Sequence, residues 1–527
     1  MMPIRFFVGV LLAAAISSPI LADGLRVVAW NITNYRGGNI SDIQAAVYGN
    51  GTTAPSMAPD VFLLQEFHTQ TSVNDFVRAL NTATGSPGDW VAAPFILSRD
   101  TENACVYRSS KLIFEQTFQV TKGGPSPLGP RDTDRFDFRL AGYPQSAPGA
   151  KLALYGVHLK ASRDSDSVSR RHNQAILIRN NLEGTDTNPN NGVYDGRPVD
   201  LPFLVAGDFN VYTATELGYQ ELTADAGRVG RVSNRGQLHD PIARPGAWNN
   251  NSFFRYILTQ NPAGQMDDRF DQLLISSHLF DGLGIDYQGA AGVPFSSSTW
   301  NDPNHSYRAW GNDGSRYNTT LNTTNNQMVS NATAEALITL SDGSGHIPVY
   351  LDLVVPAVLE AEDVIDLGNI TVGETLVALL PITNAADLDI WEAGGVQPMT
   401  TLLSTQSASG AEISIQNNNT PIPAGVTRAH SIDFTPTIEG EVTSTISVNA
   451  PGAIPSGLQV TIRANAVTPT LCAGDANSDR SVDVADFIAV LLSFGESGEN
   501  LLGDANADNV VNVADFIAVL LNFGNAC

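Results

Sequence analysis

The stretch Leu204-Val205-Ala206-Gly207-Asp208-Phe209-Asn210 runs an apolar segment into an acid and an amide two residues apart. In an extended strand, positions i and i+2 point the same way. Asp208 and Asn210 are therefore expected to share one face at a strand's end, with Phe209 turned into the core. A carboxylate can align or deprotonate a water, and an amide can donate to a phosphoryl oxygen. Gly-Asp-x-Asn is also an ordinary turn sequence, so its meaning depends on the rest of the chain.

Five further apolar runs start or stop on a polar residue. The run 25–30 leads to Asn31, 60–64 to Gln65 and Glu66, and 152–157 to His158. The run 270–275 carries Asp271 at its entry, and His346 stands just before 349–354. Residues 40–48 predict a helix between the first two runs, which makes a strand–helix–strand unit. Each polar residue alone has a bland explanation as a turn cap, a solvated acid or a core histidine. Six in order point to one site.

The set also makes chemical sense. Glu66 with Asn31 suits a hard divalent cation that keeps several waters, Mg²⁺ or in its place Mn²⁺. His158 and His346 could act as general acid and base across a phosphodiester, with Asp271 orienting one imidazole and Asn210 holding a phosphoryl oxygen. Zinc-type Cys/His spacing, a Gly-rich nucleotide loop and a nucleophile-elbow serine are all absent from the sequence. Metal-assisted attack of water on a phosphate ester is the reaction class that fits.

The ordered motifs Trp-Asn-Ile, Leu-Gln-Glu, Val-His-Leu-Lys, Gly-Asp-Phe-Asn, Arg-Phe-Asp and Gly-His-x-Pro-Val resemble the endonuclease/exonuclease/phosphatase superfamily. The deoxyribonuclease I-like branch is the most similar. The resemblance covers residues 24–355 and implies an α+β fold, a four-layer αββα sandwich with the site at one edge. It implies that Asn31 and Glu66 are metal-site residues and that His158 is the acid or phosphate-contacting histidine. Asp208 and Asn210 would position water and phosphate, and Asp271 would orient His346 as base. Glu102, in Asp-Thr-Glu-Asn-Ala-Cys-Val-Tyr-Arg, resembles the glutamate that supports the first histidine. The family usually places Asp directly before the last histidine, where this chain has Gly345; Asp342 could reach in from three residues upstream.

Within this superfamily DNA, RNA, phosphoinositides and sphingomyelin are all substrates. The insert 227–261 carries Arg228, Arg231, Arg235, Arg244 and Arg255 among Trp248, Phe253, Phe254 and Tyr256. With Arg163, Arg170 and Arg171 it could track a phosphate backbone and stack bases, or be an ordinary solvated loop. A nucleic-acid endonuclease is the expectation. The rivals are a lipid phosphodiesterase or phosphatase and a binding protein that has lost activity.

Charge separates the chain into jobs. The net charge is −25, yet residues 356–527 hold only three basic residues, Arg428, Arg463 and Arg480, against 21 Asp and Glu. Cations able to meet a phosphate polyanion are almost all in the first part. Residues 1–22 read as a secretory signal, with Arg5, an apolar run and Ala22 as a plausible cleavage point, so a secreted or surface-attached protein is expected. No later run is apolar and long enough to cross a membrane. A monomer is expected.

Residues 357–468 show short alternating strands with turn signals, which predict a β-sandwich. Phe434-Thr435-Pro436 followed by Glu439-Gly440 resembles immunoglobulin-like spacer modules. Residues 471–527 contain a repeat in which 474–495 matches 503–524 at 17 of 22 positions. Each copy reads D-x-N-x-D-x-x-x-[DN]-x-x-D before an apolar helix, which is calcium-loop spacing. The expected Ca²⁺ ligands are Asp475, Asn477, Asp479, Asp483 and Asp486, and Asp504, Asn506, Asp508, Asn512 and Asp515. The pair resembles a type I dockerin, which implies a cohesin-type partner, with Arg480 and Asn509 where glycine is usual. Cys472 and Cys527 bracket the repeats and could be joined, leaving Cys105 as a buried thiol.

Overall fold

A computed structural model describes residues 24–49, 55–98, 100–185, 201–231, 233–407, 410–416, 419–468 and 472–525. The signal segment 1–22 and Cys527 lie outside the described residues.

The first part begins β1 (Leu25–Tyr35), α1 (Ile40–Tyr48), β2 (Val61–Phe67), α2 (Gln70–Thr82), β3 (Trp90–Ala92) and β4 (Glu102–Arg108). It continues with β5 (Leu112–Thr121), β6 (Thr133–Leu140), β7 (Lys151–His158), α3 (Ser165–Glu183), β8 (Phe203–Asp208) and α4 (Leu217–Thr223). It closes with β9 (Asp271–Ile275), β10 (Asp286–Tyr287), β11 (Arg308–Ala309), α5 (Asn331–Leu340) and β12 (Val349–Val354). One sheet has the order β10-β12-β1-β2-β4-β3, with β11 also on β12; the other runs β5-β6-β7-β8-β9. β1 packs on β8 and β9, and β2 on β7 and β8, so the sheets lie face to face. Helices α1, α2 and α5 associate outside the first sheet, and α3 and α4 outside the second. This is a four-layer αββα arrangement.

The layering follows from the sequence. β1, β2, β7, β8 and β12 are buried on both faces, which is why they read as unbroken apolar runs rather than alternating ones. Trp30, Phe62, Leu204 and Leu351 are fully buried in one continuous core. The α1 boundaries match the sequence expectation. β1 does not stop at Asn31; its pairing with β2 shifts register between Asn31 and Tyr35, which re-aims the strand beside the site.

Two four-stranded sheets follow. One is β13 (Leu359–Ala361), β15 (Leu376–Asn384), β18 (Thr427–Pro436) and β17 (Ala411–Ile415). The other is β14 (Val364–Thr371), β20 (Gly457–Val467), β19 (Gly440–Asn449) and β16 (Leu402–Ser407). They close on Leu380, Ile432, Phe434, Ile446, Val460 and Ile462. This unit is docked rather than tethered. Trp391 is buried in the first core and donates its Nε1–H to the Ala141 carbonyl at 3.0 Å. The Tyr143 hydroxyl donates to the Pro356 carbonyl at 2.5 Å, and Gln397 donates to Asp286 at 2.7 Å.

The repeats form α6 (Val484–Leu492) and α7 (Val513–Asn522), packed on each other through Val490, Val511 and Val519. Cys105 is a free, buried thiol in β4, and Cys472 is disulfide-bonded. No described helix is long and apolar enough to cross a membrane.

Candidate active site

The ends of β1, β2, β7, β8, β9 and the approach to β12 meet at one edge of the sandwich. Asp208 closes β8 and is its hub. Its Oδ2 lies 3.1 Å from Asn31 Nδ2, 3.3 Å from His158 Nε2 and 3.7 Å from His346 Nε2. Its Oδ1 accepts the Asn210 backbone N–H at 2.9 Å. Asn31 Nδ2 also donates to Glu66 Oε1 at 3.0 Å, and Glu66 Oε2 accepts the Asn34 N–H at 2.8 Å. His346 Nδ1 and Asp271 Oδ2 are 2.6 Å apart, and Trp30 Nε1 donates to the His346 carbonyl at 3.1 Å. Residues up to 316 positions apart thus share one cluster.

Tight backbone approach makes this possible. Gly207 has φ +142°, and a Cβ there would sit 2.0 Å from the Val157 carbonyl oxygen. Only glycine lets β8 lie this close to β7, which holds His158 level with Asp208.

The electrostatics divide the histidines. Burial lowers the His346 pKa, but Asp271 and Asp208 outweigh it and hold His346 at about 9. Burial, with Arg131 and His346 adding positive charge, drives His158 well below its usual value. Burial lifts Asp208 to about 6 against the pull of His346. At neutral pH the site therefore holds one imidazolium and one neutral imidazole, a pair whose environments pull its titrations apart.

The amide Nδ2 of Asn31 faces two carboxylate oxygens, and turned over it would offer its own oxygen in the same direction. One or two carboxylates plus an amide oxygen is a hard donor set that Mg²⁺ or Mn²⁺ fits, with waters completing it.

Several placements differ from the sequence reading. Asn210 does not continue the strand: it lies beyond β8 in a left-handed conformation, φ +51°, and its Nδ2 donates to the Leu159 carbonyl at 3.2 Å. Local turn chemistry, not strand alternation, brings it beside Asp208. Phe209 is fully buried, as expected. Glu102 makes no hydrogen bond to His158. It accepts the Ser98 N–H at 2.9 Å, while its Oε2 and His158 Nδ1 are buried without partners. Asp342 is exposed and does not reach the site. A Cβ at Gly345 would lie 1.6 Å from Thr33 Oγ1 and 2.7 Å from the Ser341 carbonyl oxygen, so Thr33 fills the space a side chain there would need.

Two arginines of the insert are held in structural contacts. Arg231 ion-pairs with Glu183 and Glu221, and Arg244 donates to the Phe295 carbonyl while facing the Phe253 ring. Arg171 is buried against Glu216 at 2.7 Å, and Arg170 donates to the Leu128 and Gly124 carbonyls. Sequence reasoning passed over Thr33, which fills the space beside Gly345, and Tyr212, which stands two residues beyond Asn210, a spacing that could have flagged it.

In the repeats, Asp475, Asp479 and Asp486 each bring an oxygen within 4.8 Å of the others, and Asp504, Asp508 and Asp515 do the same. Asn477 and Asn506 donate to Asp479 and Asp508. Asp483 and Asn512 instead cap α6 and α7, each accepting the N–H two residues on.

No family model matches the chain, and no curated protein matches it. Among solved structures, it is similar to D. rerio TDP2 humanized by 14 mutations. The identity is 15% and the TM-score 0.35, over 63% of this chain and 99% of that one. The human Nocturnin catalytic domain is 13% identical, TM-score 0.33, over 64% of this chain and 96% of that one. ANGEL2, described as a 2′,3′-cyclic phosphatase, is 12% identical, TM-score 0.30, over 62% of this chain and 94% of that one.

Proposed function

We propose that the chain is a secreted, metal-dependent phosphodiesterase acting on nucleic acid. The observation that carries this reading is the hub at Asp208, whose Oδ2 stands between His158 and His346 while Asp271 holds His346 at 2.6 Å.

Glu66 and Asn31 would hold a Mg²⁺-like ion, which when bound would supply charge neutralisation at the phosphoryl oxygens. Asp208, lifted to about 6, is the group suited to orient and deprotonate the attacking water near neutral pH. His346 rests as an imidazolium, so its Nε2–H is a donor for the phosphate as negative charge develops. Asp271 fixes that orientation. As the bond from water to phosphorus forms, the bond to the leaving oxygen breaks; neutral His158, 3.3 Å from Asp208 Oδ2, would assist that oxygen, and Asn210 keeps one amide N–H for substrate. These charge states exchange part of the base role from His346 to Asp208.

The second sandwich is an immunoglobulin-like spacer, and the repeat pair is a dockerin-like Ca²⁺ module that attaches the enzyme to a cohesin-type or surface partner. Three carboxylates gathered in each of two 12-residue loops support the calcium reading.

The deciding experiment is hydrolysis of supercoiled plasmid by the full chain with Mg²⁺, with Ca²⁺ plus Mg²⁺, and with EDTA, beside His346→Ala. Metal-dependent nicking lost in the variant is the expected result. No nicking, with bis-p-nitrophenyl phosphate cleaved, would move the substrate to lipid or small phosphate esters. If neither substrate is touched, the protein is a binding protein.

A further inference from the structure

We propose that Arg163 and Tyr212 form a stacking platform for a nucleobase of the strand whose phosphate lies at Asp208. The proposal rests on the phosphodiesterase reading for where that phosphate lies, and it adds what the rim of the site recognises.

A continuous line of flat groups leaves the site. The His346 ring lies 6.2 Å from that of Phe270, which precedes Asp271. The Phe270 and Tyr212 rings meet edge to face at 4.9 Å. Over the Tyr212 ring stands the Arg163 guanidinium, its carbon 4.1 Å from the ring centroid. Tyr212 is half-buried and Arg163 is exposed, so the line ends in solvent.

Arg163 is set apart from its neighbours by having no ion pair among the described residues. Arg131 meets Asp100 at 3.2 Å, Arg170 lies 3.9 Å from Asp166, and Arg171 meets Glu216 at 2.7 Å. The charge of Arg163 also draws down the carboxyls of Asp267 and Asp268, which burial pushes up. Asp267 and Asp268 lead into β9, so Arg163, on the loop after β7, faces the loop before β9.

A planar cation laid on an aromatic ring presents a flat outer face that any nucleobase can stack on, and its charge suits the phosphate beside that base. An acyl chain would gain little from such a surface, because it would have to desolvate the guanidinium without offering a partner. The steps from the His346 ring through Phe270 and Tyr212 to Arg163 are 6.2, 4.9 and 4.1 Å, so a strand whose phosphate lies at the hub reaches the platform within a few nucleotides.

The test measures binding by fluorescence anisotropy, with the full chain carrying His346→Ala so that the strand is not cut. The probes are a fluorescein-labelled oligothymidylate and an abasic strand of equal length and charge. A base-bearing strand held about tenfold or more tighter is expected. Arg163→Ala and Tyr212→Leu should each bring the ratio of the two affinities close to one. Arg163→Lys keeps the charge and loses the plane, so it should lower the ratio while retaining the salt dependence of binding. Arg163 sits on an exposed loop, so its variants report even if Tyr212→Leu fails to fold.

Equal affinity for both strands before any platform substitution would overturn the proposal, and so would a preference that survives both Arg163 variants. Plasmid nicking by the unsubstituted chain is read in parallel. Nicking without base preference sinks the platform alone; base preference without hydrolysis sinks the phosphodiesterase alone.

Discussion

The first-domain site and the repeat loops both gather acidic oxygens, but from opposite distances along the chain. Asn31, Glu66, His158, Asp208, Asp271 and His346 come from different strand ends and meet only because two sheets pack face to face. Each repeat collects Asp475, Asp479 and Asp486, or their counterparts, from one 12-residue loop. In the first case the core holds the charges, and burial lifts Asp208 to about 6. In the second the acids are half-exposed or backed by N–H groups, as where Asp486 Oδ1 accepts from Ala476 and Asn477. Sites of the first kind should resist loss of an ion and fail on loss of one partner; sites of the second kind should do the reverse.

The largest effect expected is on rate. Asp271→Asn removes the carboxylate that charges and orients His346, so kcat on bis-p-nitrophenyl phosphate should fall by roughly 10²–10⁴-fold with Mg²⁺ present. Asp486→Asn, in the first loop, should leave that rate alone. If the loop variant slows hydrolysis as much, the two regions are not independent.

Protonation gives the next contrast. His346 titrates near 9 in the folded chain and near 6.5 unfolded, so its stabilisation is complete below 6.5 and is lost as pH rises through 9. Below 6.5 the raised Asp208 and the lowered His158 act in opposite directions, so the clean window is 6.5 to 9. Without divalent ions, urea midpoints should fall across that window, with a slope of at most about 1.4 kcal/mol per pH unit. A His346→Gln chain whose midpoints fall just as steeply would assign the slope to another group.

Removing Ca²⁺ should reverse the ranking of the two regions. An ion at 100 times its dissociation constant stabilises its site by about 2.7 kcal/mol. A chelator selective for Ca²⁺ should therefore melt α6 and α7, read as lost helical circular dichroism, while Mg²⁺-supported hydrolysis persists. Helices indifferent to the chelator would remove the calcium reading.

Gly345 tests how closely packed the strand-end site is. A Cβ there meets Thr33 Oγ1 and the Ser341 carbonyl. Gly345→Ala should destabilise the chain by about 1–3 kcal/mol in urea unfolding. Adding Thr33→Gly should recover part of that loss, because it removes the side-chain contact and leaves the backbone one. An unaffected single variant would mean that the loop before His346 moves freely.

How much of this was legible depended on whether the signal was local. Strand ends could be read because strands buried on both faces are unbroken apolar runs, and the polar residue that stops each one stands out. The repeats were plain because every acidic residue of a loop lies within one period. What could not be read required three dimensions or an unusual backbone. The left-handed turn at Asn210 looks like strand continuation in sequence. Glu102 lies near the expected motif position yet bonds Ser98. The insert arginines resemble a phosphate track until Arg231 is seen against Glu183 and Glu221. In the second sandwich β13 has only three residues, and β16 follows its two leucines with Ser-Thr-Gln-Ser, so neither shows the apolar alternation of a strand. Trp391 reads as an ordinary core residue, and only the fold shows that the core it enters is that of the preceding domain.

The smallest effect expected sharpens the comparison within the repeats themselves. Position 6 of each loop is left-handed, at φ +68° for Arg480 and +65° for Asn509. Asparagine takes this conformation readily; a longer side chain does so at a cost of about 1–2 kcal/mol. Arg480 has something to set against that cost, since its guanidinium ion-pairs with Glu374 of the second sandwich. Both partners are exposed, so solvent screening leaves the pair weak. The strain should therefore outweigh the contact. Arg480→Gly should tighten Ca²⁺ binding in the first loop by up to about tenfold, measured by calorimetry, with the second loop unchanged. Glu374→Ala, which removes the contact and keeps the strain, should leave affinity the same or slightly weaker. If Arg480→Gly weakens binding instead, the first loop is held in shape by the neighbouring domain, and the repeats are less local than their spacing suggests.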